Sequence, residues 1–151
     1  MLSGAKIQKS GAFKMKAFDS DIVTIRRKPE DVFHFLSDFR NFTPLMPEQV
    51  SNWQATAENC SFTVAGMMNI GLKITEKLPF EKIIMQGEGK LPFDIGMKVK
   101  IKDVAEDSEV KITIEAALNP FTAVAVQKPL SEFVNVLAYK LKEVLEKNIV
   151  A

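Results

Sequence analysis

The chain of 151 residues holds one cysteine, one histidine, one tryptophan and one tyrosine. A lone thiol, Cys60, allows no intrachain disulfide and no cysteine-based metal cluster, which suits a reducing compartment. A lone imidazole, His34, must serve every histidine-dependent mechanism. It lies between Phe33 and Phe35 in a helical pattern that turns it to an edge or to the surface. Zinc on one histidine and one cysteine needs two converging carboxylates, and no spacing proposes them. Gly66, Gly71, Gly87 and Gly89 do not form the strand-glycine-helix arrangement of a phosphate loop. No stretch approaches the ~20 apolar residues of a membrane span. Residues 1–14 carry Lys6, Lys9 and Lys14 without an acid, yet lack the apolar run of a secretory signal. They read as a flexible leader before a single domain over 15–151, with cytoplasm as the expected location. Neither sign of charge prevails: 20 basic against 19 acidic residues leave +1, which proposes neither nucleic acid nor an anionic membrane as partner.

What is present is alternation. Apolar residues take every second position through Phe93, Ile95, Met97, Val99 and Ile101, and again through Val110, Ile112 and Ile114. This is the period of an antiparallel sheet with one buried face. Strands are expected near Val50 to Ala57, Cys60 to Ala65, Met68 to Leu78, Lys82 to Lys90, Phe93 to Val104 and Glu109 to Leu118. Glu58-Asn59, Gly66, Pro79, Pro92 and Glu106-Asp107-Ser108 separate them. Connections this short force antiparallel neighbours. An earlier strand spans about Met15 to Arg27, bent at Asp19-Ser20-Asp21. Pro29, with Glu30 and Asp31 behind it, opens a short helix whose apolar face is Val32, Phe33, Phe35, Leu36 and Phe39. A second short helix or turn follows near Phe42, bracketed by Pro44 and Pro47.

Asn119 caps a helical turn at Pro120, and Pro129 is expected to interrupt it before the main helix. From there Leu130, Phe133, Val134, Leu137, Leu141, Val144 and Leu145 form one stripe. The expected fold is α+β: a curved antiparallel sheet of about seven strands wrapped round a long C-terminal helix, with two short helices after the first strand. In this order of elements, in the Pro29-Glu30-Asp31-Val32-Phe33 opening, in Leu36-Ser37-Asp38 and in the terminal helix, the chain resembles the START-like (SRPBCC) superfamily of helix-grip proteins. That superfamily includes polyketide cyclase-like proteins and plant allergen-type carriers. The resemblance implies a cavity between sheet and helix and says far less about activity.

Strand parity turns Trp53, Phe62, Val64, Leu72, Met85 and Met97 toward the helix residues Phe133 and Leu137. With Phe93 and Phe121 nearer one end, these are the candidate ligand-binding residues. Gly87 and Gly89, if inward, leave room beside them. Loops at one end of the sheet hold Leu45, Met46, Met67, Met68, Leu91 and Phe121, which form either a ligand mouth or a plug. No catalytic residue, metal or cofactor is assigned. Glu76, Glu88 and Glu115 serve as acids only if they turn inward beside a partner. Lys98, Lys100 and Lys102 share one sheet face, most simply as solvated positions.

The function expected is binding or carriage of a hydrophobic small molecule: a lipid, polyketide or aromatic metabolite. The alternatives are a cyclase, dehydrase or hydrolase using the same cavity, or a protein-interaction module with a packed core. A homodimer is compatible with the pattern and not specified by it.

Overall fold

The structure is a computed structural model that describes residues 14–91 and 93–147. The leader, apart from Lys14, together with Pro92 and the last four residues, lies outside the described residues. The alternating segments become strands β3 (Val50–Ala55), β4 (Asn59–Val64), β5 (Met68–Leu78), β6 (Lys82–Gly87), β7 (Ile95–Val104) and β8 (Asp107–Leu118). They form an antiparallel meander. The opening strand is broken in two, β1 (Lys14–Asp19) and β2 (Val23–Ile25), both paired to β8, so the sheet has eight strands.

The break falls at the expected bend and has a hydrogen-bonding cause. The buried Ser20 uses its backbone N–H on the Ile112 carbonyl, while its Oγ accepts the Ile112 N–H at 2.9 Å. The hydroxyl thus replaces a backbone carbonyl where the ladder is interrupted. Ser20→Ala leaves the Ile112 N–H buried without a partner, and we expect it to cost about 2 kcal/mol in urea unfolding. A loss below 0.5 kcal/mol, on the order of an ordinary surface substitution, would show that water takes the hydroxyl's place.

Helix α1 (Pro29–Leu36) begins on Pro29 and buries Val32, Phe33 and Leu36. A 3-10 helix, Phe39–Leu45, then buries Phe39, Phe42 and Leu45. The long helix α2 (Pro120–Lys147) is capped by Asn119, whose Oδ1 accepts the Thr122 N–H at 2.8 Å. It lies against the inner face of the sheet and buries Leu130, Phe133, Val134, Leu137 and Leu141.

Three details differ from the sequence expectation. The long helix passes through Pro129 instead of stopping there. Proline removes one hydrogen bond, to the Ala125 carbonyl, and Ala125 is exposed, so water can serve that oxygen. The β7–β8 turn needs only Ala105 and Glu106, both at positive φ (53° and 76°), so Asp107 and Ser108 join β8. Strand β6 ends at Gly87, which puts Gly89 in the following turn rather than on a shared strand face.

The meander leaves β3 on one rim. Its pairing with β4 slips between Ser51 and Gln54, where Asn52 adopts a φ of 56°.

Candidate functional site

Inward-facing strand residues and the helix stripe meet in one continuous core. Of the candidates, Val64, Met85, Phe133 and Leu137 are at most 1% exposed, and Phe62, Leu72 and Met97 are buried beside them. Phe62 stacks on Phe133 with ring centroids 5.5 Å apart, and Trp53 tilts against Phe62 at 5.7 Å. Trp53 is half-buried because its indole N–H must reach a polar partner; it donates to Thr43 Oγ1 at 3.1 Å. Phe93 precedes β7 and packs on the core while half-buried.

Phe121 is not brought into this group. It stands on the first turn of α2 and is 89% exposed, with Val124, one turn on, at 83%. Both residues lie on the helix side opposite Val126, which is the buried residue of that segment.

The end of the sheet where β3, β5 and β7 begin holds the apolar loops. Leu45 and Met68 are buried there, Met46 and Leu91 are half-buried on the core, and Met67 projects into solvent. The first four plug the end. Gly87 adds no open room, because the space its Cβ would fill is taken by the Leu91 side chain. Gly71 has a different role: a Cβ there would collide with the Glu88 carbonyl, and the Gly71 carbonyl accepts the Glu88 N–H at 2.8 Å. Glycine at this position lets the two backbones touch.

The two halves of α2 are held differently. Asn135 Oδ1 accepts the Asp21 N–H at 2.7 Å, Tyr139 donates to Asp21 at 2.8 Å, and Glu146 accepts the Arg26 N–H at 2.8 Å. Arg27 also donates to the Leu145 carbonyl at 3.0 Å, and Lys142 donates to the Thr24 carbonyl and to Glu146. Burial alone would push the Glu146 carboxyl up. The Arg26 N–H and Lys142 outweigh it and hold Glu146 below its ordinary value. Asp21 raises the Tyr139 phenol by holding its proton. Among the described residues, 120–128 have a single side-chain bond to the sheet, Lys16 Nζ to Gln127 Oε1 at 3.4 Å.

The carboxylates and the imidazole stay outside the core, and the thiol is buried within it. Glu76, Glu88 and Glu115 are exposed, and Glu88 accepts from the Asn59 amide. His34 is exposed, with its ring edge-on to Phe33 and Phe80. Cys60 is buried, and burial pushes its thiol up to about 12, which leaves almost no thiolate at neutral pH. Among the described residues no group of three His, Cys, Asp or Glu side chains converges as for a metal, and no helix is long and apolar enough to cross a membrane.

No protein-family model matches the chain, and no curated protein matches its sequence. Solved structures do share its fold. A START superfamily protein from Mycobacterium smegmatis superposes with a TM-score of 0.67 at 13% identity, covering 89% of this chain and 99% of its own. A protein from Thermus thermophilus gives 0.68 at 17% identity, with 89% and 100% covered. The solution structure of KanY protein gives 0.72 at 11% identity, with 87% and 98% covered. The chain therefore has the START-like helix-grip fold.

Proposed function

We propose that the chain binds a hydrophobic small molecule between the sheet and α2, admitted at the end where β3, β5 and β7 begin. The observation that carries this reading is the uneven attachment of α2. Its C-terminal part is latched by hydrogen bonds to residues 21–27, whereas, among the described residues, 120–128 rest on Val126, Ala123 and the long Lys16–Gln127 bond. Pro129 removes a backbone hydrogen bond at the junction. In this reading, lifting the first two turns opens the way to Trp53, Phe62 and Phe133.

An apolar guest in this space gains about 25 cal/mol per Å² buried, less the cost of displacing the plug. The Trp53–Thr43 pair offers one polar point for orientation. The fold shared with a START superfamily protein supports a hydrophobic guest of the lipid, polyketide or aromatic class. With Glu76 and Glu88 facing solvent, an enzymatic use of the same space lacks the inward carboxylates it was to draw on.

The filled interior favours a second reading, in which Phe121 and Val124 dock another protein. Native mass spectrometry of freshly purified protein, followed by organic extraction, separates the two. The expected result is an apolar molecule bound one to one and captured equally by Phe121→Ser, a substitution whose exposed site lies outside the core and leaves stability within about 0.5 kcal/mol. A bare mass together with a dimer by light scattering would reject the container.

A further inference from the structure

The outer face of the sheet, away from α2, carries a cleft of about 430 Å³. One cross-strand row runs through it: Lys82 of β6 is paired with Lys100 of β7, and Lys100 with Lys111 of β8. At ~4.8 Å between strands, the three stems spring from within roughly 10 Å. Leu78, the β5 partner of Lys82, extends the row and is exposed. Ile22, just before Val23 pairs with Val110, lines the cleft on the β8 side and is also exposed.

Like charges directly opposite one another destabilise a sheet. Lys111 comes within 3.9 Å of Asp19, but Lys82, Lys100 and the neighbouring Lys102 enter no ion pair among the described residues. Glu81 and Glu109 also line the cleft, Glu109 directly opposite Lys102, so with Asp19 on Lys111 the four lysines exceed the nearby acids by one charge, centred on Lys82 and Lys100.

We propose that this cleft binds a phosphate monoester carrying a hydrocarbon group. The phosphate, with a charge of about −1.5 to −2 at neutral pH, sits over Lys82, Lys100 and Lys111 and removes their mutual repulsion. Lysine binds phosphate as a point charge, so a row of ammonium groups suffices without an arginine fork. The hydrocarbon lies against Leu78 or Ile22, and the volume is of small-molecule size. This site is separate from the interior between sheet and helix and does not rest on the reading given for it.

Octyl phosphate titrated into the full chain by calorimetry tests the assignment, with sedimentation on phosphatidic acid vesicles as a second arm. Lys100→Gln is expected to weaken binding at least tenfold. Lys73→Gln, an equal charge change on β5 outside the cleft, is expected to leave it within twofold. The thermal midpoint of Lys100→Gln should hold or rise, since a repulsion is relieved. Lys100-dependent binding to vesicles assigns the phosphate to a lipid headgroup, and Lys100-dependent binding of octyl phosphate alone assigns it to a soluble ester. Failure of the wild-type chain to bind either probe, or equal weakening by both substitutions, overturns the site.

Discussion

Phe133→Ala is expected to lower the unfolding free energy by about 3–5 kcal/mol. The ring is 1% exposed on the central stripe of α2 and stacks on Phe62, so truncation removes both buried area and an aromatic contact. Its neighbours Leu130, Val134 and Leu137 sit on the same helix and cannot all close the gap. In a chain of this size the loss corresponds to a fall in melting temperature of roughly 10 °C or more. Urea unfolding monitored by circular dichroism measures it. The vacated space, walled by apolar side chains, should stay dry and take up benzene or indole. A loss under 1 kcal/mol, well below this range, would mean that the ring already borders unfilled space.

Met85→Trp tests the same interior from the opposite side. Met85 is fully buried at the middle of β6, paired with Ile74 on β5 and Met97 on β7. An indole there must push into packed neighbours on both strands, and we expect about 3 kcal/mol of destabilisation. The proposed guest would have to displace some of these same side chains, so overpacking should also abolish its retention during extraction. Unchanged stability in the same urea experiment would show that room exists over β6 without any plug moving.

These two residues belong to the part that sequence shows well. Strand alternation identified the buried set because a period of two leaves one register compatible with an apolar inner face; Ile95, Met97, Val99 and Ile101 are all buried. The bend at Asp19-Ser20-Asp21 and the Asn119 cap were legible because polar side chains there have few local ways to satisfy the backbone. Other features depended on tertiary facts. Whether Pro129 ends a helix turns on whether water reaches the Ala125 carbonyl. Phe121 looked like a lining residue because its loop lay at the apolar end, but its direction is set by the helix phase that buries Val126. Gly87 suggested space, and Leu91 occupies it.

The candidate site was legible as a list of inward side chains and not as an opening. The route proposed for it depends on how firmly each half of α2 is tied down, and the ties run between residues more than a hundred positions apart. The lysine row is a similar case. Lys98, Lys100 and Lys102 were visible on one strand, but the alignment of Lys82, Lys100 and Lys111 requires the register of three.

The slipped rim strand bears on how the molecule behaves in crowded solution. An open sheet edge is a template on which a second chain can zip, and a flat, unbroken edge is a seed for aggregates. At β3 the turned backbone of Asn52 interrupts the row of outward-pointing amides and carbonyls after two residues. A foreign strand arriving there finds no uninterrupted ladder to extend, so the kink makes this rim a poor template for pairing with a second copy.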